Sequence, residues 1–249
     1  MMQNQEKIEL LKKAKGPIDN EFTQLEEIYV ILYAISKIVM DETRSKTMVP
    51  IKSLIMSEKI EIYERNLSTV DDNFVNELLG TLEKIQGEWR IYINQEIGSL
   101  TKRYVMAHEF SHYIVNSIET IDESENCTNV LFPLNTGEQI CDIISSFLLL
   151  PFGTVVKLLN TYIDNRRKEY GSPVNLDEWI QYLGNEMGLT EYHTILSYQN
   201  IRYLAGALYQ YSKVKSKRGR VSKILKDLNV TLEDEIQMIE KNMEFFQRH

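Results

Sequence analysis

Two histidines and a glutamate in the order His-Glu-x-x-His are the residues of this chain best suited to chemistry. They are His108, Glu109 and His112. Residues four apart on a helix share one face, with Cβ atoms about 6 Å apart, so both imidazoles can reach one metal ion. Zn²⁺ accepts histidine nitrogen at about 2.0–2.1 Å, and a neighbouring carboxylate can take a proton from an attacking water. The motif predicts a Zn²⁺ site with Glu109 as catalytic base; the simpler alternative is two surface histidines on an amphipathic helix.

The motif needs a helix if its histidines are to meet. From Thr101 to Asn116 the apolar residues recur at helical spacing, and no Pro or Gly interrupts them. Ser99 or Thr101 can cap the start of such a helix. The sequence therefore predicts that the two histidines lie on consecutive helical turns.

Glu138 is the best candidate for a third metal ligand, since a catalytic zinc usually has three protein ligands. The other histidines, His193 and His249, do not stand at the spacing of an extended histidine motif. The carboxylates between Glu119 and Glu125 lie in a polar stretch, which fixes a ligand poorly. Glu138 instead opens an apolar segment, 139–150, that we expect to be helical. The simpler interpretation of Glu138 is a solvated helix N-terminus, which the helix dipole also favours.

Asp142 follows Glu138 by four residues and so shares its helical face. A metal-bound histidine usually donates its other ring N–H to a carboxylate or a carbonyl. We therefore expect Asp142 to be such a partner. Cys127 is a weaker ligand candidate, because its position in a loop favours a plain free thiol.

Two motifs together resemble the ImmA/IrrE family of bacterial metallopeptidases. Residues 103–112, RYVMAHEFSH, resemble its R-F-T-L-A-H-E-x-x-H segment, and residues 138–151, EQICDIISSFLLLP, resemble its E-x-x-A-N/D-x-F-A-x-x-L-L-M-P segment. The resemblance covers about residues 50–155, including 89–94, which look like the strand before the active-site helix. Departures include Cys141 at the usual Ala and Leu150 at the usual Met.

The resemblance implies a gluzincin-like zinc endopeptidase. In characterised relatives the substrate is a helix-turn-helix transcriptional repressor, whose cleavage induces genes of mobile elements or stress responses. It thus implies a protein substrate of this kind and a role in transcription regulation.

Composition favours a cytoplasmic chain that binds neither membrane nor nucleic acid. The hydrophobic fraction of 43 % is near the globular norm. Two cysteines and the lack of a signal-peptide pattern suit a reducing compartment, and the apolar run 28–40 is too short to span a bilayer. A net charge of −8 argues against broad nucleic-acid binding. The basic segment 213–220 is more consistent with a solvated linker than with a phosphate-contacting arm.

The periodicity predicts an α+β fold, mostly helical, with a small antiparallel or mixed sheet and an all-helical C-terminal region. The resemblance implies that this sheet packs on the HExxH helix. We divide the chain into an N-terminal helical segment (1–49), a zincin-like metallopeptidase domain (50–170) and a C-terminal helical domain (171–249). The predicted elements are a helix from residue 19 or 20 to about 43, a strand at 60–63, a hairpin at 81–94 turning at Gln86-Gly87, and helices at 152–169, 176–187, 191–212 and 231–247. The long acidic connection 119–137 is expected to be a functional loop or lid.

Three functions remain open at this stage. Residues 184–190 have the length of a helix-turn-helix connection. The following helix, however, carries Tyr192, Tyr198, Tyr203 and Tyr209 with only one arginine, Arg202, so we interpret it as a packing or substrate-docking bundle. We predict a cytosolic zinc endopeptidase. The alternatives are a non-catalytic regulator that binds a repressor or DNA with a structural or vestigial metal site, and a non-proteolytic zinc hydrolase. Glu109 argues against a purely structural site, which needs no base.

For an oxyanion donor, His193 and the C-terminal tyrosines are candidates, although we expect core or solvent-facing roles for them.

Overall fold

A computed structural model describes residues 25–40, 48–71, 74–77, 79–119, 137–169, 175–213 and 215–248. Along these residues run nine helices and five strands. The helices are α1 (Leu25–Val39), α2 (Ile51–Ser57), α3 (Ser99–Glu119), α4 (Gly137–Leu149), α5 (Phe152–Glu169), α6 (Leu176–Met187), α7 (Glu191–Lys213), α8 (Lys215–Asp227) and α9 (Glu233–Arg248). The strands are β1 (Glu61–Arg65), β2 (Ser68–Asp71), β3 (Phe74–Glu77), β4 (Gly80–Ile85) and β5 (Glu88–Asn94).

A three-stranded mixed sheet stands beside the helix that carries the histidines. Its order is β1-β5-β4, with β1 parallel and β4 antiparallel to β5. Gln86 and Gly87, with φ of 52° and 89°, make the two-residue turn between β4 and β5, a conformation whose twist matches that of paired strands. The predicted hairpin is confirmed, and β4 lies at one edge of this sheet.

One face of the sheet packs on α3. Side chains on a strand alternate between faces, and Ile91 and Ile93 of β5 are 0 % and 1 % exposed. On the same face, Trp89 meets Tyr113 of α3 edge-on, with ring centroids 5.9 Å apart. Both β4 and β5 contact α3. The sheet therefore fixes the orientation of the helix that bears the motif.

A helical layer covers the other side of α3. Helix α4 packs against α3, and α7 contacts α1, α4, α6, α8 and α9. Asn200 of α7 ties three helices together in the core: it accepts from the Tyr29 hydroxyl at 2.9 Å and donates to Ser146 Oγ at 3.0 Å. The buried apolar cluster runs from Ile28 to Phe246. The α+β, mostly helical fold class is confirmed, whereas the division into three segments stays a prediction.

Some sequence predictions differ from the structure. The basic segment interpreted as a linker is helical in the structure, since α8 begins at Lys215. Lys and Arg favour helices, and Val221, Ile224 and Leu225 are buried at helical spacing along α8. The connection 119–137 falls almost wholly outside the described residues, as do Asp122, Glu123, Glu125, Cys127 and His249.

Within the described part of the chain, no single helix is long and apolar enough to cross a membrane. Helices α4 and α5 meet the length and composition criteria only as a pair, over Glu138–Leu149 and Phe152–Arg166, and they are bent by 54° at the break between them.

Candidate metal centre

His108, His112 and Glu138 converge at one point in the structure. Helix α3 supplies both histidines from consecutive turns, and the first turn of α4 supplies Glu138. His108 Nε2 lies 3.2 Å from His112 Nε2 and 3.0 Å from Glu138 Oε2, and His112 Nε2 lies 3.5 Å from Glu138 Oε1. The three residues that the sequence singled out as ligands are therefore brought together.

These spacings fit a tetrahedral metal ion. With metal–ligand bonds of about 2.0–2.2 Å, two ligand atoms of a tetrahedral zinc site are about 3.3–3.5 Å apart. The measured separations of 3.0–3.5 Å lie close to that edge length. A neutral imidazole that donates through Nδ1 has only a lone pair at Nε2. Two such nitrogens and a carboxylate repel one another at these distances unless a cation, either a metal ion or a proton, lies between them.

Asp142 orients His108. Its Oδ1 lies 3.0 Å from His108 Nδ1 and accepts a hydrogen bond from the Tyr104 hydroxyl at 2.8 Å. Because an ionised carboxylate only accepts hydrogen bonds, Nδ1 of His108 carries the proton and Nε2 presents its lone pair to the cluster. This is the arrangement expected from the sequence for Asp142.

The charges around His108 and Asp142 stabilise this pair. Burial opposes the charged form of His108, but the hydrogen bond and charge of Asp142, together with Glu109 and Glu138, outweigh it and raise the pKa of His108. Burial likewise opposes ionisation of Asp142, but hydrogen bonds from His108 and Tyr104 outweigh it and lower the pKa of Asp142. Asp142 is therefore a carboxylate at neutral pH.

Cys141 contacts the second histidine. This buried thiol has its Sγ 3.3 Å from Nδ1 of His112. Burial and the neighbouring His108 lower the pKa of His112, which favours the neutral imidazole that a metal requires. Thus His108 has a carboxylate behind it, whereas His112 has a thiol.

Glu109 lies between α3 and the edge strand. It is 8 % exposed, and a main-chain hydrogen bond from Leu82 of β4 stabilises its charged form. Burial is the main reason that the pKa of Glu109 is raised to about 7, with Glu138 adding to the shift and His108 opposing it. A carboxyl group with a pKa near the working pH is well matched to accepting and returning a proton.

Gly80 allows this close approach of β4 to α3. A Cβ atom at this position would lie 2.4 Å from Val105 Cγ1 and 3.2 Å from Glu109 Oε1. Any larger residue would push the strand away from Glu109. The glycine thus positions the edge strand against the candidate base.

An open cleft of about 510 Å³ surrounds the cluster. It is lined by residues of α3, α4, the start of β4 and the start of α7. His193 of α7 lines the cleft with its ring stacked on Tyr104 at 4.1 Å and its Nδ1 2.7 Å from Thr190 Oγ1. Burial lowers the pKa of His193, so it is neutral at pH 7. Among the tyrosines of α7, Tyr192 lines the cleft.

Sequence reasoning missed three contributors to the site. Tyr104 appeared only as an apolar position of a helix, yet it lies four residues before His108, on the same face, where its hydroxyl reaches Asp142. Cys141 appeared only as a departure from a family motif. Leu82 left no signal, because its contribution is a main-chain group whose position depends on strand pairing.

Comparison of the chain with protein-family models, with curated proteins and with solved structures gave no match. The family resemblance thus stays an expectation drawn from the two motifs.

Proposed function

We propose that this protein is a zinc-dependent endopeptidase. The observation that supports it best is the convergence of His108, His112 and Glu138 at separations of 3.0–3.5 Å. Beside them lies a buried carboxylate, Glu109, that is not one of these three candidate ligands. A structural zinc site needs ligands alone. A site with a further carboxylate on the same cleft is equipped for hydrolysis.

The roles of the side chains follow from their contacts. His108, His112 and Glu138 would hold the zinc ion, which supplies Lewis acidity towards a water molecule and the scissile carbonyl. Glu109 accepts the proton of the attacking water and returns it to the leaving amine. Asp142 and Tyr104 keep His108 in the tautomer that presents Nε2 to the metal.

The edge of β4 offers main-chain groups to an extended peptide. Asn94 N–H donates to Leu79 O at 2.9 Å, so residues 79, 81 and 83 pair with β5 while Gly80 and Leu82 direct their main-chain groups outward. The Leu82 N–H already serves Glu109. The outward groups of Gly80, with the Leu82 carbonyl, can pair with a substrate strand that passes directly over the candidate base.

The proposed substrate is a specific intracellular protein, and the proposed location is the cytoplasm. The motif resemblance favours a helix-turn-helix repressor of a mobile element or stress regulon. A content of only two cysteines is consistent with a reducing compartment.

Glu109→Gln tests the proposal, because it keeps the shape of the side chain and removes the proton acceptor. The zinc-loaded chain is incubated with any helix-turn-helix repressor found encoded beside its gene and with a proteome-derived peptide mixture, and products are read by mass spectrometry. Glu109→Gln should keep its zinc and lose about 10²- to 10⁴-fold in cleavage rate. Glu138→Gln should lose zinc and cleavage together. Glu244→Gln, an exposed carboxylate on α9, should match the parent.

The alternative is a regulator that binds a repressor or DNA without cutting. If Glu109→Gln supports the same biological output as the parent, and the partner stays intact with both proteins, proteolysis is not the function and the binding regulator replaces it.

A further inference from the structure

Helix α7 presents an apolar wall to the cleft, which the edge strand also lines. Tyr192 and Leu196 line the cleft from successive turns of α7, and Leu79 lines it from the start of β4. Tyr192 is 71 % exposed and Leu79 is 40 % exposed. Exposed apolar side chains on α7 and at the start of β4 therefore share one cleft with the titratable groups.

Apolar surface exposed in a polar cleft is a mark of ligand contact. Water solvates large exposed apolar side chains unfavourably, and these side chains leave water only when a ligand covers them. These side chains are continuous with the candidate site, because the same cleft is lined by His108, Glu109 and Glu138. A segment that pairs with Gly80 and crosses the cleft reaches the α7 wall.

The charge of the cleft restricts which segment fits. Among the described residues that line it, three are carboxylic acids, Glu109, Glu138 and Asp142, and none is Lys or Arg. A bound Zn²⁺ offsets two of these three negative charges when all three are ionised. A substrate carboxylate near the α7 wall would still meet the remaining negative charge, with no Lys or Arg of the cleft to pair with. An apolar side chain of the substrate meets no such charge repulsion, and it gains contact with Leu196 and Tyr192.

We propose that the α7 wall, made of Tyr192 and Leu196, determines substrate specificity: the cleft selects an extended protein segment with a bulky apolar side chain against this wall and rejects one with Asp or Glu there. This inference rests on the proposed peptidase function for its kinetic form. Its binding form stands independently, since the wall contacts the segment whether or not the bond is cut.

Cleavage profiling tests the kinetic form. The zinc-loaded parent is incubated with a proteome-derived peptide mixture, and we expect Leu, Ile, Phe or Met to be enriched, and Asp and Glu depleted, at one position flanking the cut. Synthetic peptides of the best sequence then carry Leu or Asp at that position. Leu196→Ala should lower kcat/KM for the Leu peptide by about 10- to 100-fold. Leu196→Arg should raise kcat/KM for the Asp peptide by about tenfold or more.

Ile195→Ala is the matched control. Ile195 is an aliphatic residue of similar size, 41 % exposed and adjacent on α7, but it does not line the cleft; its variant should stay within about twofold of the parent. Tyr192→Ala tests the same wall without a folding cost, because most of that side chain is exposed. Thermal unfolding and zinc content are measured for every variant.

Binding separates this inference from the proposed function. For this arm, fluorescein-labelled Leu and Asp peptides share a host sequence of Gly, Ser and Thr, chosen without reference to cleavage, and carry Leu or Asp at one central position. They are titrated into Glu109→Gln by fluorescence anisotropy, with and without Leu196→Ala. If no peptide is cut by the parent but the Leu peptide still binds tighter than the Asp peptide and depends on Leu196, the peptidase proposal fails and the wall stands. If cleavage occurs without apolar preference, or Leu196→Ala and Ile195→Ala act alike, the wall is overturned. If the parent cuts no peptide and Glu109→Gln binds none, both proposals are overturned.

Discussion

Removing the Asp142 carboxylate should weaken zinc binding without touching a ligand. In the structure, Oδ1 of Asp142 lies 3.0 Å from His108 Nδ1 and 2.8 Å from the Tyr104 hydroxyl. Asp142→Ala removes the acceptor for both groups. His108 then loses both the fixed tautomer and the restraint on its ring orientation, so part of the zinc-binding free energy must be spent on ordering it.

The expected size follows from these two contacts. Loss of the group behind a metal-bound histidine typically costs 10- to 100-fold in metal affinity, which is about 1.4–2.8 kcal/mol. Tyr104→Phe removes only one hydrogen bond to Asp142, worth about 0.5–1.5 kcal/mol, so a loss of about 2- to 12-fold is expected. Because Tyr104 acts through Asp142, the double variant should bind zinc no more weakly than Asp142→Ala alone.

Competition against a chromophoric zinc chelator at pH 7.5 measures these affinities, with circular dichroism to check the fold. The control is Asp164→Ala, which changes an exposed carboxylate of α5 outside the cleft and should leave the affinity unchanged. The reasoning fails if Asp142→Ala keeps the affinity of the parent. It also fails if the effects of Asp142→Ala and Tyr104→Phe simply add.

Three further outcomes are expected. The purified chain should bind about one zinc ion, and His108→Ala or His112→Ala should largely abolish this; full zinc occupancy in the double variant by metal analysis would contradict the ligand assignment. Because zinc needs neutral imidazoles and the pKa of His108 is raised, protons compete on the acid side. Zinc affinity should therefore fall as the pH drops below about 6, and a titration that is flat from pH 8 to 5 would exclude histidine ligation. Gly80→Ala should lower the free energy of unfolding by about 1–3 kcal/mol, because its Cβ would lie 2.4 Å from Val105 Cγ1. Gly206→Ala, in the interior of α7 with nothing within 4 Å, should not destabilise the chain, and equal denaturant midpoints for the two variants would refute the close approach.

Much of the local structure could be read from the sequence. The HExxH helix was predicted at 101–116 and runs from Ser99 to Glu119; helices α5 and α6 have the predicted bounds. The turn at Gln86-Gly87 fixed the register of the hairpin. These features depend on residues close in sequence, since helical periodicity, capping and turn geometry act over a few positions. The same local spacing placed both histidines on one face.

The sequence predicted the place of Glu138 on its helix but not the packing that brings it to the histidines. Its place in the first turn of α4 follows from the apolar segment after it. Its contact with His108 forms only because α4 packs against α3, and no local sequence pattern predicts that packing. The helix-to-helix contact comes from burying the apolar faces of both, and Asp142 reaches His108 by the same packing.

The sequence by itself determined which residues are the candidate metal ligands and on which helical turns they lie. Only the tertiary structure decided what surrounds them: β4 as the edge strand whose Leu82 main chain holds Glu109, Cys141 behind His112, and α7 as part of the lining of the cleft. Periodicity states that a face is apolar and will be buried, but many partners could cover it. Which strand becomes an edge and which helix closes a cleft is decided by packing the whole core at once.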